Sequence, residues 1–313
     1  MTDEPASTDP PPVLAMVGLG RMGANMARRL ARAGASVHGF DAQPQARDAL
    51  AGEPGVRLHA SLESALAALP APRTAWLMLP AGEASAQAID LLLRALSPGD
   101  LVVDGANANY LDSQRRAAEL AAHGLLFADC GVSGGVWGLE SGYCLMFGAQ
   151  PEAAARLAPI ARRLAPAPDA GWLHCGPPGA GHFVKMIHNG IEYGAMQAYA
   201  EGFALLAGRR DLELDLAAIG ETWRHGSVIR SWLLDLTVAA LRDPGALEAV
   251  SPRVADSGEG RWTVDEAVRQ GTPAPVIAAA LMSRFDSQGG ADTANRLLAL
   301  MRKGFGGHAV TPK

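Results

Sequence analysis

Four residues in the middle of the chain have types and spacing that could do chemistry together. Lys185, His188, Asn189 and Glu192 lie at i, i+3, i+4 and i+7, so a helix over 181–194 carries them on one stripe. A cation, an imidazole, an amide and a carboxylate are an unusual way to furnish a merely wet surface. Lys185 and Glu192 stand about 10.5 Å apart along the axis, at 1.5 Å per residue. That is too far for an ordinary intrahelical pair and suits two groups flanking a substrate. A solvated polar face fits the same spacing, since amphipathic helices normally have one. Phe183, Ile187 and Ile191 fall on the opposite side and make the helix amphipathic. Gly190 and Gly194 each weaken a helix by roughly 1 kcal/mol relative to Ala, which points to a close approach by another element.

The elements ahead of this helix supply a partner for such chemistry. Val13–Val17 is a short apolar run suited to a buried strand. It leads directly into Gly18-Leu19-Gly20-Arg21-Met22-Gly23 and a helical stretch ended by Gly34; the next strand, 36–40, ends at Asp41. A GxGxxG between a strand and a helix, with an acidic residue about 20 positions on, is the dinucleotide fingerprint. Its glycines let the backbone approach a pyrophosphate resting on the helix N-terminus. Asp41 would accept from the ribose hydroxyls and repel a 2′-phosphate, which favours NAD over NADP. The rest alternates: helices at 44–51 and 61–69, a strand at 73–79 ending in Pro80-Ala81-Gly82, a helix at 83–96, a strand at 101–104 ending in Gly105-Ala-Asn107, a helix at 110–122 and a strand at 125–130. A strand at 143–148, a helix at 151–164 and a strand at 172–175 follow. The pattern is that of an α/β, Rossmann-type, doubly wound and mostly parallel sheet. Ligands of such sheets sit beyond the carboxyl ends of the strands, which places Pro80, Ala81 and Asn107 by the nicotinamide; Asn107 could equally stabilise a turn. Cys130-Gly-Val-Ser133-Gly134-Gly135 could hold a carboxylate or hydroxyls, or be a plain glycine turn.

Gly176-Pro-Pro-Gly-Ala-Gly181 breaks the pattern. The expected organisation is a disordered tail over 1–12, a cofactor domain over 13–178 and an all-α domain over 179–313. In that last domain helices are expected at 181–207, 214–225, 227–242, 263–270, 273–285 and 290–303. The 313 residues are 49% hydrophobic with net charge −5, which gives no reason to expect nucleic acid or an acidic membrane surface as partner. No run approaches the roughly 18 apolar residues of a membrane helix. Three cysteines without metal-type spacing, and a start lacking a basic and apolar leader, point to a cytoplasmic protein without a metal site.

With these motifs in hand, the chain resembles the 6-phosphogluconate dehydrogenases. The likeness is carried by Gly-Leu-Gly-Arg-Met-Gly, Gly105-Ala-Asn107, Val132-Ser-Gly-Gly135, the run from Gly181-His-Phe-Val-Lys185 to Tyr193, and Phe305-Gly-Gly-His308. Its length looks like that of the short bacterial, NAD-preferring branch. The resemblance implies oxidative decarboxylation of 6-phosphogluconate to ribulose 5-phosphate. Lys185 would be the general base and Glu192 the general acid. Asn107, Ser133, Gly134, Gly135, His188 and Asn189 would contact the sugar acid. Tyr193 and Arg284 would hold the phosphate, with Arg302 and His308 reaching over from a neighbouring subunit of a homodimer or homotetramer. One segment departs from the family: Asp256-Ser-Gly-Glu-Gly-Arg-Trp-Thr263 puts Ser257 where long-chain members have a phosphate-binding Lys. Two alternatives therefore stay in view, a dehydrogenase of another 3-hydroxy acid or unphosphorylated sugar acid, and a non-catalytic nucleotide-binding regulator.

Overall fold

The computed structural model describes residues 10–243, 245 and 247–306. Regular elements follow in the order β1 (Val13–Val17), α1 (Arg21–Arg32), β2 (Ser36–Phe40), α2 (Pro44–Asp48), β3 (Val56–Leu58), α3 (Leu62–Ala67), β4 (Thr74–Leu77), α4 (Glu83–Ala95), β5 (Leu101–Asp104) and α5 (Tyr110–Ala122). Next come β6 (Leu126–Ser133), α6 (Gly138–Ser141), β7 (Cys144–Ala149), α7 (Pro151–Leu164), β8 (Trp172–Gly176) and the long α8 (Ala180–Gly208). The chain then continues as α9 (Leu216–Arg224), α10 (Trp232–Leu241), α11 (Glu259–Gln270), α12 (Pro275–Ser287) and α13 (Asp292–Gly306). Two compact units result, one ending at Lys185 and the other beginning at Met186, so α8 starts in the first and ends in the second.

In the first unit the central strands β1, β4 and β5 are buried and mostly apolar because helices cover both faces of the sheet. Leu14 and Met16 of β1 face one core with Met26 and Leu30 of α1, while Ala15 and Val17 face the other with Leu62 of α3 and Leu92 of α4. The strand order is β3-β2-β1-β4-β5-β6-β7-β8. Strands β1 to β6 run parallel, β7 joins β6 antiparallel, and β8 lies parallel to β7. The chain reverses direction across the sheet between β1 and β4, so this is the doubly wound, mostly parallel α/β fold that the sequence implies.

Differences from the sequence reading have local causes. No strand was expected at 56–58. With three residues and exposed Arg57 in the centre, β3 is too short to show a period. Helix α11 begins at Glu259 rather than 263. Gly258-Glu-Gly260 reads as a breaker, but Gly260 is there for space: a Cβ on it would come 2.5 Å from Tyr193 Cε2. Helix α10 begins at Trp232 rather than 227, where the Ser231 hydroxyl accepts from the Leu234 N–H.

The second unit is all helical, with two small cores. Tyr193, Ala280 and Leu281 form one, and Phe203, Leu234 and Val238 the other. Here the expected facing of α8 is reversed. Met186, Asn189, Gly190 and Tyr193 are buried, while Ile191 is 62% exposed. The glycines decide this. A Cβ on Gly190 would meet Thr263 Cγ2 at 2.6 Å, and one on Gly194 would meet Val276 Cγ1 at 3.2 Å. The flank opened by the glycines, not the flank carrying Ile187 and Ile191, is therefore the one that α11 and α12 pack on. Among the described residues no helix is long and apolar enough to cross a membrane.

Candidate active site

The Gly18–Gly23 loop lies at the carboxyl end of β1, beside the residues that follow β4. Gly18 has φ +93°, and a Cβ on it would come 2.5 Å from the Met78 carbonyl oxygen. A Cβ on Gly23 would overlap the Gly18 carbonyl, so Gly23 is what lets α1 start against the loop. Gly20 is the N-cap of α1 and brings no side chain to its orphan N–H groups, and no atom lies within 4 Å of where its Cβ would be. A dinucleotide's pyrophosphate fits such a cradle, on open space and unsatisfied helix donors. Leu19 sends its side chain into the core, and its N–H donates to Asp41 Oδ2 at 2.7 Å. Asp41 Oδ1 accepts from Gln43 N–H at 2.8 Å. The carboxylate is thus fixed at the end of β2 on the rim of the loop. Arg21 is exposed and Met22 packs on the core. Pro80 and Ala81 are exposed ahead of α4, where the Ser85 hydroxyl donates to the Pro80 carbonyl.

Asn107 is exposed on the turn after β5. That turn is anchored by Asp104, whose carboxylate pairs with buried Arg116 at 2.5 Å and accepts from Ala106 N–H at 3.1 Å. Ser133, Gly134 and Gly135 close β6, with φ of +125° and +54° at the two glycines, values that disfavour any side chain there. Two residues of β6 that sequence reasoning passed over do as much for the site. Asp129 accepts from Gly179 N–H at 2.5 Å and His182 N–H at 2.7 Å, capping the start of α8. Burial pushes its carboxyl above the ordinary value against the opposing pull of His182 and those N–H bonds. Gly131 lies against Lys185: a Cβ on it would stand 2.8 Å from Lys185 Cγ and closer still to its Cβ. Their signal in the sequence was an acidic residue and a glycine inside an apolar strand, both readable as functional.

In the second unit, the stripe along α8 is wired together. Asn189 Nδ2 donates to Glu259 Oε1 at 3.1 Å, and Asn189 Oδ1 lies 3.0 Å from His188 Nδ1. Glu192 Oε2 is 3.9 Å from the same nitrogen. One turn on, the Arg284 guanidinium stacks 3.4 Å over the Tyr193 ring and donates to the Ala255 carbonyl. The Tyr193 hydroxyl reaches Asp256 Oδ1 at 3.5 Å, and Asp256 pairs with Arg261. Burial resists ionisation of Asp256, but the bonds from Arg261 and Gly258 N–H, with the Arg284 charge, hold its carboxyl below the usual range. Ser257 is exposed just ahead of α11, and Arg302 is exposed on α13. His308 lies outside the described residues. Glu259 was not expected to matter. Its signal was a carboxylate between two glycines, Gly258 and Gly260.

The NAD binding domain of 6-phosphogluconate dehydrogenase matches residues 13–173, and the C-terminal domain of that enzyme matches residues 181–304. This chain belongs to the 6-phosphogluconate dehydrogenase family. It is 43% identical over 302 residues to an NAD(+)-dependent, decarboxylating 6-phosphogluconate dehydrogenase of Haloferax volcanii, covering 96% of this chain and 99% of that one. Among solved structures it is similar to the 6-phosphogluconate dehydrogenase of Plasmodium falciparum, with TM-score 0.81 and 25% identity over 96% of this chain and 66% of the other. A 3-hydroxyisobutyrate dehydrogenase of Mycobacterium tuberculosis gives TM-score 0.69 and 26% identity over 90% of this chain and 94% of that one. For a 6-phosphogluconate dehydrogenase the geometry separates the tasks: a dinucleotide cradle on the sheet, a titratable stripe on α8, and an arginine–tyrosine stack farther along the same helix.

Proposed function

We propose that the protein oxidatively decarboxylates 6-phosphogluconate to ribulose 5-phosphate and CO2 with NAD as oxidant. The observation that carries the reading is the stripe on α8, with Lys185 at one end, Glu192 at the other, and His188 and Asn189 joined by a hydrogen bond between them. The backbone of Gly18–Gly23 and the Asp41 carboxylate hold NAD, with Pro80, Ala81 and Asn107 at its nicotinamide end. NAD, when bound, supplies the acceptor for a hydride. Lys185 takes the proton of the C3 hydroxyl as that carbon is oxidised, then, as an ammonium, stabilises the enolate oxygen that forms when CO2 departs. Glu192 donates the proton that C1 needs, a role that requires its carboxyl to hold a proton in the complex. No metal is called for, because a β-keto acid contains its own electron sink.

Asn107, Ser133, Gly134, Gly135, His188 and Asn189 hold the sugar acid in this reading, and Tyr193, Ser257, Arg284, Arg302 and His308 hold its phosphate. Arg284 suits that work, since its planar fork matches phosphate and stacks on an aromatic ring. The reading extends to a cytoplasmic homodimer or homotetramer in which the C-terminal segment reaches a neighbouring subunit, supported by three free cysteines and by the exposure of Arg302. One experiment tests the chemistry: NADH and CO2 release are followed with 6-phosphogluconate, gluconate and 3-hydroxyisobutyrate, each with NAD and with NADP. Joint release from 6-phosphogluconate with NAD is expected. Reduction without CO2 would sink the decarboxylase reading, and equal turnover of gluconate would remove the phosphate site, the outcome that Ser257 in place of a lysine would favour.

A further inference from the structure

A neutral imidazole can carry its proton on either nitrogen, and an amide can face either way. Glu259 removes both freedoms in the second unit. It is 4% exposed and lies in the first turn of α11, where the helix N–H groups favour negative charge. Asn189 Nδ2 donates to Glu259 Oε1 at 3.1 Å, so the group of Asn189 that meets this carboxyl is its NH2. The Asn189 carbonyl oxygen is thereby turned to His188 Nδ1, 3.0 Å away. That oxygen only accepts, so Nδ1 must carry the hydrogen. With the proton on Nδ1, Nε2 of the neutral ring carries the lone pair.

We propose that Glu259 is a positioning residue that acts through Asn189 to hold His188 as the Nδ1–H tautomer, so that His188 Nε2 meets the substrate as a hydrogen-bond acceptor. This rests on the reading that His188 contacts the sugar acid, and it deepens that reading. At the point His188 touches, the site selects a carbon bearing a hydroxyl over one bearing a carbonyl, because two acceptors repel while a hydroxyl can donate to Nε2. A threonine at position 259 would both donate and accept and would impose no direction.

The test is nitrogen NMR of the full-length protein labelled with 15N-histidine, with the His188 signals identified by their loss in His188→Gln. Wild type is expected to show an unprotonated Nε2, recognised by its couplings to both ring C–H protons. Glu259→Gln, which can donate as well as accept, and Glu259→Thr should give a mixture of the two tautomers. In both variants kcat/KM for 6-phosphogluconate should fall about tenfold, the effect of weakening a charge-assisted hydrogen bond. An Nε2–H tautomer in wild type, or a tautomer unchanged in both variants, overturns the proposal. The wild-type spectrum decides even if a variant does not fold. Because the tautomer is read without substrate, the result stands or falls apart from the identity of the reaction.

Discussion

Adding one methyl group at Gly131 isolates the placement of Lys185 from everything else. Gly131 does not have the left-handed φ that would make alanine strained in itself, so the effect of Gly131→Ala is steric. The new Cβ would stand 2.8 Å from Lys185 Cγ, closer to Lys185 Cβ, and 3.2 Å from the Gly181 carbonyl oxygen. Carbon atoms rest about 3.5–4.0 Å apart, so Lys185 must yield by about 1 Å. It cannot do so by rotating χ1 alone, since the clash includes its Cβ. The start of α8 must move, and that start is tied to Asp129 by the Gly179 and His182 N–H groups. Overpacking of this kind costs about 1–3 kcal/mol of stability, which a melting curve will read. A displacement of about 1 Å at a reacting group costs roughly a hundredfold in rate. Gly131→Ala is therefore expected to lose about two orders of magnitude in kcat for 6-phosphogluconate, while its Kd for NAD, measured by titration calorimetry, stays within about twofold, because the Gly18 loop is untouched. A variant that keeps more than about a third of kcat would refute the idea that Gly131 sets the position of Lys185, and a large loss of NAD affinity would show that the change had spread to the loop.

Three further perturbations probe other parts. Asp41→Ala removes the carboxylate on the cofactor rim and should raise KM for NAD by about ten- to a hundredfold, the worth of one or two charged hydrogen bonds, with little change for NADP; a native enzyme that already prefers NADP would contradict the role given to Asp41. Arg302→Ala should raise KM for 6-phosphogluconate by at least about tenfold, as for a lost charge-assisted bond to phosphate, and leave gluconate turnover unchanged; an equal effect on both would take Arg302 out of the phosphate site. Glu221 of α9 is held down to about 2 by His225 and Arg224, with Arg242 adding its charge. Its folded value lies below the unfolded one, so its contribution to stability is present above pH 4.5 and lost as pH falls toward 2. Glu221→Gln should melt below wild type at neutral pH and match it in strong acid, and a difference that does not shrink on acidification would show that the carboxylate's charge is not the cause.

The sequence was most readable where backbone chemistry dictates residue type. The Gly18–Gly23 loop, its strand and its helix were legible because a tight turn, a close approach and a helix N-terminus each need glycine at a fixed place. The stripe on α8 was legible because helical period is independent of what packs on the helix. Its facing was not legible. Apolar Ile187 and Ile191 suggest a buried side, but burial went to the flank where Gly190 and Gly194 admit Thr263 and Val276, a contact between residues some 70–80 positions apart that no local pattern encodes. The same reason hid Asp129 and Gly131, whose partners in α8 lie about 50 residues on.

Ser257, in place of a cation, and the carboxylate Glu259 stand two residues apart in the sequence. In the fold they differ in kind. Glu259 is buried, and its Oε1 accepts from Asn189 Nδ2. Ser257 is exposed beside Asp256, where charge balance decides what can bind. The Arg284 guanidinium lies over Tyr193, and the Arg261 guanidinium, over the Phe285 ring, is paired with Asp256. Among the described residues, these groups leave about one positive charge for a phosphate monoester carrying roughly −1.5 to −2. A phosphorylated substrate therefore needs a further cation at this end, whereas an unphosphorylated one does not. The contrast between 6-phosphogluconate and gluconate thus depends on whether the chain brings that cation, and Arg302 on the exposed face of α13 is the candidate the family pattern provides.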